Sequence, residues 1–178
     1  DVHFELLEAD RSCSGGRATR KQVVAHIGSR NLEMVLLIYQ PNDRPGPVPL
    51  FLGLNFGGNH TICPDPAVRL TRSWVNYPQA DGSFTHVADE ASRGSAASSW
   101  PVEDILARGY ALATVYCGDL DPDYDDGFQN GIHPLFYAPT QTRPMPDEWG
   151  TIGAWAWGLS RALDYVYTDP ELDAHRVA

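Results

Sequence analysis

Three features of the sequence predict an α/β fold. The expected form is a three-layer sandwich whose mostly parallel central sheet opens with an antiparallel hairpin. First, two aliphatic runs, residues 20–28 and 31–40, are joined by the short link Gly28-Ser29-Arg30-Asn31, which suits a hairpin. Second, two short, continuously apolar runs at 50–54 and 110–116 flank a helical segment, as expected of strands covered on both faces. Third, residues 148–178 read as a long amphipathic helix, a turn and the start of another strand.

In chain order, residues 2–8 (VHFELLE) are an edge strand or a loop entry, and SCSGG at 12–16 is a turn. The hairpin strands follow. PNDRPGPVP at 41–49 carries four prolines and is an exposed connection to the strand LFLGL. Residues 64–100 are irregular and polar, with Pro64, Pro66, Pro78, Gly82, Gly94 and a serine cluster; so long a structureless stretch inside a compact domain is often functional. PVEDILAR at 101–108 is a helix with Pro101 at its start and acids near its positive end, closed by Gly109. A second irregular stretch, 117–149, precedes the long helix. There Ile152, Trp155, Leu159, Leu163 and Val166 fall three or four apart and share one face, which assigns Trp155 to the core. Asp169-Pro170 stops the helix, and Arg176-Val177-Ala178 begins a strand. No repeat divides the chain: residues 1–178 are expected to form one incomplete domain with insertions at about 64–100 and 118–146.

With 178 residues, 43% hydrophobic and 20% charged, the composition is that of a soluble globular protein with a sizeable core. A formal charge of −10 repels phosphate and argues against a nucleic-acid partner. No apolar run approaches the roughly 20 residues of a membrane span, so no membrane partner is expected. The chain opens at Asp1 without Met or signal peptide and reads as processed or trimmed. Three cysteines exclude a disulfide scaffold. Cys63 and Cys117 each follow a predicted parallel strand on the same side of the sheet, and neighbouring strands would allow them to pair.

A helix that leads through a short linker into a strand is what precedes the nucleophile elbow of an α/β-hydrolase. The fold class expected is therefore the N-terminal part of an α/β-hydrolase, with the elbow beyond Ala178. The loop Asn55-Phe56-Gly57-Gly58-Asn59-His60 would then close the carboxyl end of a parallel strand, where open α/β sheets bind ligands. Glycines there let backbone amides approach a ligand such as an oxyanion; the same glycines read equally well as a tight turn. Asn55, Gly57, Gly58 and His60 are the oxyanion and cleft candidates. His60 does not suit the catalytic base, because triads of this fold run Ser, acid, His along the chain. Asn59-His60-Thr61 also has the form of a glycosylation sequon. The run from Asp119 to Asp126 invites a calcium reading but lacks the closing Glu and flanking helices of an EF-hand. A loop capped by Asp-to-amide bonds fits it better, and the cysteines lack zinc spacing. Neither metal nor cofactor is expected.

Several stretches in one order resemble the bacterial glucuronoyl esterases, a carbohydrate esterase family of the α/β-hydrolase fold. They are Leu54-Asn55-Phe56-Gly57-Gly58-Asn59-His60-Thr61, Trp100-Pro101 through Gly109-Tyr110-Ala111, and Tyr116-Cys117-Gly118-Asp119 with Asp121-Pro122-Asp123. Gly127-Phe128, Gly131-Ile132, the helix from Gly150 to Gly158, Asp169-Pro170, Asp173 and Arg176-Val177-Ala178 complete the likeness. The resemblance implies metal-free hydrolysis of the ester between a glucuronic acid carboxyl on xylan and a lignin alcohol. A serine would attack, a histidine would take its proton and a carboxylate would orient the histidine. The family's Gly-x-Ser-Arg-x-Gly-Lys elbow would begin just after Ala178, so no catalytic residue is carried onto this chain. Its insertions would flank the cleft, making Trp74, Tyr77, Phe84 and Asp119 substrate-cleft candidates; the aromatics would stack on sugar rings or pack the insertion onto the domain.

The resemblance names the partners as a glucuronoxylan–lignin ester and the C-terminal remainder of the same domain, and the location as secreted or periplasmic. The chain alone is expected to be inactive. The alternatives are the same segment of an acetylxylan-type esterase and a non-catalytic carbohydrate-binding or interaction module.

Overall fold

The computed structural model describes residues 1–30 and 32–178; Asn31, the last residue of the expected hairpin link, lies outside the described residues. A six-stranded sheet runs in the order β1-β2-β3-β7-β4-β8. Its strands are β1 (Val2–Ser12), β2 (Ala18–Ile27), β3 (Leu32–Pro41), β4 (Val48–Asn55), β7 (Ala111–Tyr116) and β8 (Leu172–Val177). A two-stranded ribbon, β5 (Tyr77–Pro78) with β6 (Phe84–Thr85), stands in the stretch that the sequence left structureless. The helices are a one-turn α1 (Cys13–Gly16), α2 (Val102–Ala107) and α3 (Thr151–Thr168). The N-terminal segment is a full edge strand antiparallel to β2, and β2–β3 and β3–β7 are antiparallel as well. Parallel pairing joins β7 to β4 and β4 to β8.

The helices cover opposite faces. Leu37, Tyr39 and Leu112 pack with Val102 and Leu106 of α2. The alternating residues Leu36 and Val115 pack with Ala154, Trp155 and Ala162 of α3, and Ile38 and Ala113 with Val166. A period of two explains the division, since successive side chains on a strand point to opposite faces. Fully buried Leu and Ile side chains each contribute about 1.5–3 kcal/mol relative to exposure, so β3, with Leu36, Leu37 and Ile38 all at 0% exposure, is a principal anchor of both layers.

The inward face of α3 differs from its large-residue stripe. Trp155 and Val166 are buried, but Ile152 is 72% exposed, and the buried set is completed by Ala154, Gly158 and Ala162. The reason is close approach. A Cβ on Gly158 would stand 2.1 Å from Leu120 Cδ1, so small residues define this contact and a pattern built on large apolar residues passes over them. Trp157 packs edge-on against Phe136 and carries the Arg161 guanidinium over its ring at 5.3 Å. Among the described residues, no helix is long and apolar enough to cross a membrane.

Candidate functional site

From β4 the chain crosses by α2 to β7 on one side, and from β7 it crosses by α3 over β4 to β8 on the other. This reversal, with helices on opposite faces, makes the carboxyl end of β4 a topological switch point, where the connections diverge and leave a crevice. Asn55 to His60 occupy that position.

A buried hydrogen-bond chain fixes the loop. Asn55 Nδ2 donates to Asn59 Oδ1 at 2.7 Å and to Thr114 Oγ1 at 3.0 Å. Asn59 Nδ2 in turn donates to the Val35 carbonyl at 2.8 Å. Asn59 is buried, so the sequon reading is overturned: its amide is spent inside the protein. Gly58 has φ +92°, a conformation that L side chains rarely adopt, and a Cβ there would meet His60 Cε1 at 2.7 Å. Its carbonyl accepts from Thr61 N at 3.0 Å and Thr61 Oγ1 at 2.8 Å. The N–H groups of Gly57 and Gly58 have no acceptor among the described residues. Phe56 is 63% exposed and rests edge-on against Trp155, with centroids 5.4 Å apart.

His60 is wholly buried, with Nε2 3.0 Å from Ser92 Oγ and 3.2 Å from Tyr77 Oη. Burial, aided by the Arg93 charge, lowers its pKa to about 4. Its Nε2 is taken up by two protein hydroxyls and the ring is closed to solvent, which argues against a general base on geometry as well as on chain order.

Asp119 follows β7 and is buried. It accepts from Ser73 Oγ at 2.6 Å, Thr71 Oγ1 at 3.2 Å and Val35 N at 3.2 Å. Burial pushes its pKa up to about 6 against the lowering effect of these three donors. It fastens the first insertion to β3 beside a small pocket of about 50 Å³ that Asn59, Arg69 and Arg72 also line.

The aromatic candidates divide. The Trp74 ring is stacked on His86 at 4.9 Å and tilted against Tyr124 at 4.6 Å, so it packs the insertion. Tyr77 points inward, its hydroxyl donating to the Gly57 carbonyl. Phe84 lies on β6, 54% exposed.

The acidic run works largely through Asp-to-amide bonds. Asp125 Oδ1 accepts from Gly127 N at 3.1 Å, and Asp126 from Phe128 N at 2.7 Å and Asn130 N at 2.9 Å. No group of three or more metal-ligating side chains forms a cation site among the described residues. Asp123, Tyr124 and Asp126 border an open depression of about 430 Å³ floored by Ile152 and Trp155, and thus adjoining Phe56.

Sequence spacing missed Ser92, Thr71, Ser73 and the Asp121–His133 pair. His133 Nδ1 lies 3.2 Å from Asp121 Oδ1, both side chains are buried, and the ring stacks on Trp149 at 4.5 Å. These partners are 12 to 48 residues apart in the chain, beyond any local motif.

The Cys63–Cys117 pairing that neighbouring strands would allow does not occur, and all three cysteines are free. Cys117 packs in the core under α3, whereas Cys63 packs with the α2 cluster, where its thiol meets Tyr39 Oη at 3.1 Å. Strands β4 and β7 are indeed neighbours, but the loop after β4 carries Cys63 to the opposite face. Cys63 there borders a cavity of about 680 Å³, together with Cys13, Arg20, Tyr39 and Trp100. Tyr39 pairs with Leu112 near the start of β7, placing that cavity toward the other end of the parallel strands.

The switch point, the divergent crossovers and the glycine loop define the N-terminal part of an α/β-hydrolase fold. No protein-family model matches the chain. The chain is 49% identical over 183 aligned residues to the carbohydrate esterase MZ0003 from an unknown prokaryotic organism, an alignment covering all of this chain and 42% of that protein. Among solved structures, the glucuronoyl esterase from Solibacter usitatus matches with a TM-score of 0.88 and 43% identity, over 100% of this chain and 45% of that one. A promiscuous CE15 esterase from a marine bacterial metagenome matches with a TM-score of 0.83 and 46% identity, over 99% and 44%. The chain thus spans less than half the length of these relatives and resembles the N-terminal portion of glucuronoyl esterases of the CE15 group.

Proposed function

We propose that the chain is the N-terminal portion of a serine carboxylic-ester hydrolase of the glucuronoyl esterase type. The substrate is an ester of glucuronic acid, as in the linkage between xylan and lignin. The observation that carries this reading is the 43–49% identity to carbohydrate and glucuronoyl esterases over essentially the whole chain. In this reading the Gly57 and Gly58 amides face the ester as hydrogen-bond donors. Phe56 and the insertion bearing Tyr77 and Phe84 form one wall of the cleft, and Asp119 holds that insertion against β3. The serine, histidine and acid come from residues outside these 178, and the enzyme works outside the cytoplasm, secreted or in the periplasm.

The test uses the full-length protein. A benzyl or methyl ester of glucuronic acid is hydrolysed, acetylated xylan is hydrolysed more slowly, and an organophosphonate that phosphonylates active serines, losing its leaving group from phosphorus, abolishes the activity. Residues 1–178 alone release no alcohol. Preference for acetylated xylan returns the acetyl-esterase reading, and binding of xylan without hydrolysis returns the binding-module reading.

A further inference from the structure

The first insertion reaches the loop at the end of β4 through two side chains, Tyr77 and Ser92, that meet at one buried imidazole. The Tyr77 hydroxyl proton goes to the Gly57 carbonyl. The Ser92 hydroxyl proton goes to the Asp89 carbonyl at 2.6 Å. Both hydroxyl oxygens are left as acceptors, and both lie beside His60 Nε2, at 3.2 and 3.0 Å. A carbonyl can only accept, so the proton directions are forced: Nε2 of His60 carries hydrogen and is shared between the two hydroxyls. Nδ1 is then a bare acceptor, buried without a partner beside Gly58. A second proton on that ring would find nothing to bind, in keeping with its depressed pKa.

We propose that Tyr77 is a positioning residue for the ester-binding loop: by holding the Gly57 carbonyl, it turns the Gly58 N–H away from the insertion and toward the crevice. The Gly57–Gly58 peptide is trans. In a trans peptide the C=O and the next N–H point in opposite directions in one plane, so fixing one aims the other. The carbonyl is drawn toward the β5–β6 ribbon; the amide faces the other way and has no acceptor among the described residues. Only a residue without Cβ holds the Gly58 conformation, with φ +92° and ψ 147°. Two glycines in sequence have large rotational freedom, and an amide that wanders loses most of its value as a preorganised donor. His60, Ser92 and Tyr77 supply the missing rigidity. The inference rests on the esterase reading for what the amide binds, and on geometry alone for how the amide is held.

Two readouts separate these parts, both on the full-length protein. Tyr77→Phe removes only the hydroxyl, and Ser92→Ala removes one of the acceptors of His60 while leaving the aromatic packing intact. For Tyr77→Phe, kcat on a glucuronate ester falls on the order of tenfold, KM stays within about twofold, and Tm moves by a few degrees at most. Hydrogen–deuterium exchange of the peptide covering residues 55–62 quickens. Ser92→Ala shows the same signs at smaller amplitude. Wild-type kcat with unchanged exchange in Tyr77→Phe overturns the proposal. So does a loss of kcat that merely tracks a loss of folded protein in both variants. If the wild-type protein hydrolyses no ester, the functional reading fails and the exchange rates alone decide whether Tyr77 holds the loop.

Discussion

Lys21 and Asp169 form a buried ion pair across most of the chain: Nζ of Lys21, on β2, lies 2.6 Å from Oδ2 of Asp169, with side-chain exposures of 7% and 4%. The same ammonium lies 2.7 Å from Glu171 Oε2. Asp169 also accepts from Glu171 N at 3.0 Å, so it caps the turn that leads from α3 into β8. Lys21→Met leaves two carboxylates facing one another without their cation. A loss of about 3–5 kcal/mol is expected, read as a lower urea midpoint with an unchanged slope. Adding Asp169→Leu to the same variant recovers part of the loss. A destabilisation below about 1 kcal/mol would show that the pair does not hold β8 to the sheet.

Asp119 predicts a stability term of unusual sign. Its folded pKa, raised to about 6 by burial, exceeds its unfolded value of 3.8. The folded state therefore binds the proton more tightly. The contribution is fully present below pH 3.8 and is lost as the pH rises through 6. Asp119→Asn removes this dependence, about 3 kcal/mol between the limits. The check is the difference between the wild-type and variant Tm from pH 4 to 7, with the paired acids elsewhere common to both. The charges facing Asp119 include Glu33, whose repulsion adds to the rise, while Arg69 and Arg72 share its pocket. A constant difference across that range refutes the assignment.

Gly58→Ala combines a left-handed backbone with a collision at His60 Cε1, 2.7 Å from the added carbon. About 2–4 kcal/mol is expected from strain and displaced packing. The change also displaces the imidazole that joins Ser92 and Tyr77, so hydrogen exchange quickens at residues 55–62 and near residue 92. Gly82→Ala, with φ +84° but nothing within 4 Å of the added carbon, serves as the comparison, and the smaller loss belongs there. Equal losses would assign the whole effect to the backbone.

Gly158→Ala opposes two effects. Alanine favours an isolated helix by about 1 kcal/mol, but here its Cβ meets three atoms of the buried Leu120 at 2.1, 2.6 and 2.8 Å. Packing outweighs propensity, and a net loss of about 1–3 kcal/mol is expected from thermal unfolding. The companion change Leu120→Ala should relieve it. A stabilised Gly158→Ala would mean that α3 does not rest on this contact.

The strands and α2 were legible in the sequence because their signals are local. Runs such as LFLGL and YALATVY are apolar without interruption, as burial on both faces requires, and Pro101 and Gly109 mark the ends of α2. The loop at 55–60 was legible as a place, because two glycines beyond a buried strand sit where such sheets bind ligands. Its internal bonding was not. His60 finds Tyr77 and Ser92 at separations of 17 and 32 residues, and no period links them. Trp74 shows the converse limit. Its residue type suited a sugar platform, but His86 and Tyr124 pack against its ring.

The sequence by itself determined an α/β sheet with an antiparallel start, the crossovers, the position of the glycine loop and the likeness to one esterase group. These depend on composition and on periods of two and 3.6 residues, which short stretches of chain carry within themselves. Only the tertiary structure decided which face each side chain serves. It sent Cys63 and Cys117 to opposite sides of neighbouring strands, turned Ile152 outward where Gly158 brings α3 close, and buried Asn59 and His60 as internal braces. The physical reason is that these outcomes depend on where distant segments come to rest. Burial and hydrogen-bond partners are properties of that contact surface, not of the chain that enters it.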